Sequence, residues 1–586
     1  MGFVPDLKPQ PNTLPPLNTP NPAIVAQSGV RRLPRLGLLL LCAVYVLPGF
    51  LGRDPWRPWD MAALGQMMAL VQGESPWWHP NLMGLPPELD GVLPFWLGAW
   101  SMAWAPAWLP PLIASRLPFM AIAALCLAMT WYAIDALARS PRAQPVSFAF
   151  GGEARPKDYA RTLADAGLLA LIATLGLAVP LHETSPMLVQ LGGSSALFMG
   201  VALLRTKPWH GCWIAIAGLF TLALSGAPAL GMILGLAAIC LLVWTPDLER
   251  SKRVSLVICL FLALVLMATV IQEWGLWRWR LRAWHNPMSE ARSLLELVLW
   301  FTWPCWPLAL WSMWSWRRQW GRQWSMHVVW PLTMIAIVTI VSALTTSSER
   351  TLLLALPAYA ALAAFALPTL QRSVTALIDW FTLLFFSGCG IIIWVVWLAM
   401  QTGWPPQPAA NVTRLAPGFA PTFEIFPLLV ALIGTGLWVW LVHWRVGRHR
   451  TALWKSLVLP SAGAALCWLL LMTLWLPLLN YARSYVPLVK QVKQVIPDTA
   501  CVAIQGLNTG QIAALKWHGS WPLKKLSPTS PCEWLLVDAQ WAADPLHAND
   551  LASWSSVQKV NRPTRTYENL LIYRRAPQAN APRAAP

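Results

Sequence analysis

"RDPWRPWDMAALGQMMALVQGESPWWHPNLMGLPPELDG", Arg53 to Gly91, stands directly behind an apolar run. It sets Asp54 and Asp60, then Glu88 and Asp90, among tryptophans and prolines. The chain as a whole carries only 25 Asp and Glu in 586 residues. Whether this stretch is a soluble loop or a loop at a membrane surface decides the fold.

Composition favours the membrane. The chain is 56% hydrophobic and 12% charged, with a mean hydropathy of +0.49. A soluble domain carries about 25% charged residues. Forty tryptophans exceed ordinary usage, and tryptophan gathers where lipid tails meet water. A net charge of +18 raises nucleic acid as a partner, but a soluble basic domain would not be this apolar. The basic residues are read as topology-setting loop charges among membrane lipids, with no nucleic acid.

A spanning helix needs about 20 apolar residues. Working outward from Arg53, such runs fall near 36–52, 117–137, 164–181, 185–204, 209–226, 228–245 and 254–273. Others fall near 295–315, 327–346, 351–368, 374–400, 424–444 and 453–478. The expected class is an all-α polytopic membrane protein with about thirteen transmembrane helices.

Basic residues set the orientation. With the N-terminus inside, the inner segments hold Arg31/Arg32/Arg35, Arg139 to Arg161, Arg205/Lys207, Arg250/Lys252/Arg253, Arg317/Arg318/Arg322, Arg372 and Arg445/Arg448/Arg450. The other face carries fewer. Residues 1–30, rich in Pro and Asn, read as a disordered cytoplasmic tail. Residues 31–479 form the transmembrane domain, and an odd number of spans puts residues 480–586 outside. That tail is polar, with a helical start and strand-like runs at "ACVAIQG", "EWLLVDA" and "NLLIYRR". It reads as a small periplasmic α/β domain with a disordered end, of ordinary domain size. Cys501 and Cys532 could form a disulfide there, while the other eight cysteines read as small apolar fillers. No metal-ligand spacing, P-loop or dinucleotide motif is present, so neither metal nor cofactor is expected.

The quoted stretch thus belongs to a first outer loop, 52–115. "MAALGQMMALVQ" and the proline-broken "GVLPFWLGAWSMAWAPAWL" suit helices lying in the interface plane. Ionisable groups held near lipid are functional candidates by default.

The loop resembles that of the C-type glycosyltransferases that use polyprenyl-phosphate sugars. Nearest are the bacterial aminoarabinose transferases of lipid A and their relatives among the protein O-mannosyltransferases. Asp60, Trp77, Pro80, Gly84-Leu85, Glu88 to Asp90, Phe95-Trp96 and Arg116-Leu117-Pro118 follow the family's order. Thirteen spans with a small outer C-terminal domain match the aminoarabinose branch. The chain departs where Met61 follows Asp60 in place of the family's Glu, and where Ala63-Leu64 replaces Arg-Tyr. Glu88-Leu89-Asp90-Gly91 stands for Glu-Lys-Pro, without the lysine.

The resemblance implies an inverting transfer from an undecaprenyl-phosphate sugar to an outer-facing acceptor. The sugar would be 4-amino-4-deoxy-L-arabinose or a related one, and the acceptor lipid A or another envelope glycan. The location would be the bacterial inner membrane, with the site facing the periplasm. Such chemistry needs a carboxylate base and cations for the departing phosphate. Asp60 is the candidate base, against the alternative that it caps the helix behind it. Glu88 or Asp90 is the second acid. Arg278, Arg280 and Arg282 in "WRWRLRAWHNP" are candidate phosphate ligands or, equally, anchors to anionic headgroups. Arg350 in "SSERTLLLALP" is a further phosphate candidate, and Trp59, Trp96 and His285 are positioned to orient donor or acceptor. His182 and Glu183 in "HETSP" read as a turn before a helix. The competing class is a non-catalytic membrane protein that binds or transports a lipid carrier. Transporters place polar residues at mid-membrane, whereas polar chemistry here gathers in one outer loop.

Overall fold

In the computed structural model, the described residues are 21–87, 91–244, 248–277, 282, 286–321, 324–346, 348–446, 452–527 and 531–575. Each of the apolar runs coincides with a helix. Among the described residues, eight helices are long and apolar enough to cross a membrane. A ninth is reached if Pro287–Phe301 and Cys305–Ser315, bent by 92°, count as one span. Arg35–Val46, Pro208–Leu224 and Pro228–Trp244 are apolar but shorter. The chain is a multi-pass helical membrane protein with a small C-terminal sheet.

Six helices position residues 52–115: α1 (Arg35–Val46), α2 (Pro58–Val71), α3 (Leu93–Ala103), α4 (Pro111–Ala138), α5 (Pro156–Ala173) and α6 (Pro186–Leu203). Five of them begin with a proline at the first or second position, where its missing N–H costs nothing. Glycines let α6 meet the Pro208–Leu224 helix backbone to backbone. A Cβ on Gly200 would stand 2.4 Å from the nitrogen of Ala215.

Two sequence expectations need correction. Residues 21–30 do not extend a disordered tail. Ala23, Val25 and Val30 are buried, and Ala26 bridges Glu153 in the loop between α4 and α5. The second concerns the surroundings of α2, which the sequence places against lipid. The helix is buried from Asp60 to Met67 without a break. One side joins the bundle core through Ala63, Met67 and Leu70, which share a cluster with Phe95 and Ala99. The other side, through Met61, Leu64 and Ala69, shares a core with Ile512, Leu515 and Val502 of the tail. A helix apolar all round is buried on all sides, and here the tail covers what lipid was expected to cover.

The tail opens with the helices Leu476–Arg483 and Val486–Lys493. Five strands follow: β1 (Val502–Gln505), β2 (Leu523–Lys525), β3 (Trp534–Asp538), β4 (Trp554–Arg562) and β5 (Arg565–Arg575). They lie in the order β2-β1-β3-β5-β4. β1 runs parallel to β2 and β3, while β5 is antiparallel to β3 and β4. Val502 to Ile504 of β1 and Trp534 to Val537 of β3 are apolar and buried, as central strands are. Cys501 and Cys532, at their starts, form a disulfide.

Candidate functional site

The site begins in the turn between α1 and α2. Pro55 and Pro58 fix two backbone angles of "RDPWRPWD". The N-cap of α2 is Arg57, in extended conformation and without a side-chain cap. Asp60 is therefore not the capping residue. It sits in the first helical turn, where its charge meets the positive end of the helix dipole.

Asp60 is fully buried. Its Oδ1 accepts hydrogen bonds from the Thr184 backbone N–H at 3.0 Å and from the Thr184 hydroxyl at 2.7 Å. Its Oδ2 stands 3.3 Å from Nη2 of Arg53, a guanidinium only 1% exposed. Arg53 Nε donates to the Gly49 carbonyl at 3.1 Å, and Nη2 donates to the carbonyl of His182. A buried charge persists only when paired and hydrogen-bonded, and both charges here meet that condition.

The partner of this turn is "HETSP". Glu183 lies beside Asp60 in the same clasp. Its Oε2 accepts from Trp59 Nε1 at 2.9 Å, and its Oε1 is 3.3 Å from Arg57 Nε. Burial, reinforced by the neighbouring Asp60 charge, raises the pKa of Glu183 above the usual carboxylate range. His182 stacks on Trp468 with ring centroids 4.6 Å apart, and its Nε2 lies 2.9 Å from the Tyr45 carbonyl. Burial, with help from Arg53, pushes its pKa down to about 4. Gly49 makes room for that ring: a Cβ there would lie 2.3 Å from it. Residues 53, 59 and 60 of the loop thus grip residues 182, 183 and 184 of the turn in matching order.

The tail pins the same loop from the other side. Asn480 Oδ1 accepts from the Asp54 backbone N–H at 3.1 Å and from Trp56 Nε1 at 2.9 Å. Its Nδ2 donates to Gly52 at 3.0 Å. Arg562 of β4, fully buried, donates to the Trp56 carbonyl at 3.3 Å while pairing with Glu568 at 2.9 Å. Asp54 itself is a backbone partner in this junction, and burial raises its carboxyl above the usual range.

A narrow cleft runs along the next face of α2. Trp59, Ala62, Ala63 and Gln66, spaced as one helix face, line it with Pro87, Phe95, Pro186, Met187 and Arg350. The Arg350 guanidinium lies 3.9 Å above the Trp59 ring. Asp60 does not line this cleft. Its neighbour Trp59 connects the cleft to the carboxylates through Glu183.

The other predicted residues are dispersed. Arg282 pairs with Glu290 at 3.0 Å, and its backbone N–H donates to the Leu344 carbonyl at 2.8 Å, at the end of the helix before Arg350. Trp96 donates to the Trp77 carbonyl at 2.7 Å and packs against Trp78, Trp100 and Trp274. Glu88, Asp90, Arg278, Arg280 and His285 lie outside the described residues. Among the described residues, no three His, Cys, Asp or Glu side chains gather closely enough to hold a metal ion.

Sequence reasoning missed Arg53, Glu183 and Thr184 as parts of the site. An arginine directly behind an apolar span was a usable signal for the first. The other two stand in a turn whose composition is ordinary.

No protein-family model and no curated protein sequence matches the chain. Among solved structures it is similar to ArnT from Cupriavidus metallidurans bound to undecaprenyl phosphate, with a TM-score of 0.56 and 14% identity. The match covers 92% of this chain and 97% of that one. The apo structure of the same protein gives a TM-score of 0.55 at 14% identity over the same shares. The chain has the fold of ArnT, a lipid A aminoarabinose transferase, over nearly its whole length.

Proposed function

We propose that the chain is an inverting glycosyltransferase. It moves a sugar from undecaprenyl phosphate to lipid A or another envelope acceptor on the periplasmic side of the bacterial inner membrane. The observation that carries this reading is the Asp60–Arg53 pair clasped to Glu183–Thr184, one residue from an arginine-bearing cleft, in a chain with the ArnT fold. The undecaprenyl phosphate held by that ArnT structure supports a polyprenyl-phosphate donor here.

In this mechanism the acceptor hydroxyl loses its proton to Asp60 as its oxygen attacks the sugar's anomeric carbon. The bond from that carbon to the phosphate oxygen breaks on the opposite face, and undecaprenyl phosphate leaves with the electron pair. An ionised carboxylate offers about four acceptor sites. Thr184 occupies Oδ1 twice and Arg53 occupies Oδ2 once, which leaves Oδ2 a place for the hydroxyl. Glu183 is a second carboxyl in the same clasp, beside the roles assigned to Glu88 or Asp90. Arg350 serves the phosphate as a bidentate donor, with Arg278 and Arg280 as further candidates, while Arg282, already paired with Glu290, contributes from the rim. Trp59, Trp96 and His285 position the sugar and its acceptor.

The complete burial of Asp60, off the cleft, favours one other reading: a lipid-carrier-binding protein in which Asp60 only neutralises Arg53. Mass spectrometry of lipids and envelope glycans decides between them, in a strain lacking the gene and complemented with wild type or Asp60→Asn. The expected result is a glycan substituent lost on deletion, restored by wild type and absent with Asp60→Asn. Unchanged glycans in every strain would leave the non-catalytic reading.

A further inference from the structure

Gln66 stands two helical turns from Trp59 on the cleft face of α2, and its side chain is fully buried. Neither its amide oxygen nor its amide nitrogen has a hydrogen-bond partner. It nevertheless lines the cleft together with Arg350 and Trp59. A primary amide buried without partners is costly, since each unmade bond forfeits about 1–3 kcal/mol. Ala62, Ala63, Phe95 and Met187, which line the cleft with it, are apolar. A polar molecule that enters the cleft would relieve the cost of the unpaired amide.

We propose that Gln66 is a specificity-determining residue that reads the sugar of the lipid-linked donor. This rests on the glycosyltransferase reading above. The amide presents one acceptor and two donors in a fixed plane, which matches adjacent hydroxyl or amino substituents on a pyranose ring. Arg350 stands across the cleft as the cation for the phosphate on the same ring. Trp59, with Arg350 over its face, supplies a flat wall of the kind a sugar packs against. Leucine or methionine at position 66 would line the cleft equally well for a lipid tail. A hydrogen-bonding residue there selects a polar substituent. Sites built to hydrogen-bond a substrate hydroxyl discriminate strongly against ligands that lack it.

The test compares full-length wild type with Gln66→Met, which keeps the volume and removes both hydrogen-bonding groups. Binding is measured in nanodiscs to bare undecaprenyl phosphate and to undecaprenyl phosphate bearing mannose, N-acetylgalactosamine or 4-amino-4-deoxy-L-arabinose. Wild type is expected to bind one sugar-bearing donor more tightly than the bare carrier. Gln66→Met should lose about tenfold on that donor alone and bind the bare carrier as before. Its melting temperature should equal or exceed that of wild type, because an unpartnered buried amide has been removed.

Equal affinity of wild type and Gln66→Met for the preferred donor overturns the assignment of Gln66 while leaving the glycosyltransferase reading intact. So does a parallel loss on bare carrier and donor, or a lower melting temperature, since either assigns the amide a structural role. A wild type that binds neither carrier nor any sugar-bearing form overturns both readings.

Discussion

Thr184 meets Asp60 twice, through its backbone N–H at 3.0 Å and its hydroxyl at 2.7 Å, across 124 residues of chain. The turn before α6 therefore fixes the orientation of the carboxylate as firmly as α2 does. With one oxygen filled by Thr184, the remaining oxygen faces Arg53, and the pair sits where solvent does not reach. Geometry and charge at this point are one problem.

Asp60→Asn keeps the size of the side chain but leaves the Arg53 guanidinium buried and uncompensated. Breaking such a pair costs about 3–5 kcal/mol. The variant should lose about 100-fold or more in transfer, as removal of a general base does, and should also melt at a lower temperature. The double variant Arg53→Met/Asp60→Leu should recover much of the stability, because neither charge remains, and should stay inactive. Thermal unfolding and a transfer assay on the three proteins separate the effects. Transfer at the wild-type rate by the double variant would remove Asp60 from the reaction.

Glu183 gives a pH dependence of definite sign. Its pKa in the folded protein is raised from the ordinary 4.5 by burial and then by Asp60. The folded state therefore binds its proton more tightly than the unfolded state does. Stability from this group is complete below the ordinary value and is lost as pH rises through the raised one. Glu183→Gln, neutral at every pH, should be flatter than wild type from about pH 4.5 upward and at least as stable near neutrality. Arg57 is 30% exposed and can turn to water when Glu183 no longer pairs with it. Melting temperatures across that range check this, and an unchanged slope in the variant would assign the dependence to another group.

Much of this fold was legible because apolar run length is a local signal. Every run expected to be helical contains a helix, though 36–52 and 164–181 end early and 295–315 is broken in two, and "ACVAIQG", "EWLLVDA" and "NLLIYRR" contain β1, β3 and part of β5. α2 was misread because "MAALGQMMALVQ" does not state what covers it, and the cover comes from Ile512 and its neighbours, more than 400 residues away. Of the candidate site, the sequence points to Asp60, Trp59 and Arg350, which carry a charge or an indole beside a span. Thr184 and Asn480 escaped because each acts through a long-range contact that leaves no periodicity. Gln66 escaped because its lack of a partner is a property of its surroundings and not of its spacing.

The two described arginines proposed for the phosphate should behave differently. Arg282 already has a carboxylate, Glu290, at 3.0 Å, and its side chain is 35% exposed. Arg350 lies over Trp59 at the cleft. Arg350→Ala should weaken donor binding by about 2–5 kcal/mol, the range for truncating one partner of a desolvated pair. Arg282→Ala should cost under about 1 kcal/mol, as a rim pair does. Donor affinities measured in nanodiscs rank them, and an unchanged affinity for Arg350→Ala would remove that residue from the phosphate site.

The tail is seated on α2 through glycines, and that seat can be tested. A Cβ on Gly510 would lie 2.6 Å from the Pro58 carbonyl oxygen, and one on Gly65 would lie 2.5 Å from the Cβ of Ala513. The Thr509–Ala514 helix therefore approaches α2 as closely as backbone allows, directly at the turn that carries Asp60. Gly510→Val must push the two helices apart, since the atom it meets is backbone and cannot rotate away. Overpacking of this kind costs about 1–3 kcal/mol. The displacement would also strain the hydrogen bonds of Asn480 and Arg562 to Gly52, Asp54 and Trp56. Transfer should then fall by more than the stability loss alone explains, while the sheet, which lies behind the helix, keeps its own pairing. Hydrogen exchange should rise in residues 52–71 and remain low in β1 and β3. A Gly510→Val protein with wild-type exchange in residues 52–71 and wild-type transfer would mean that the tail covers α2 without positioning it.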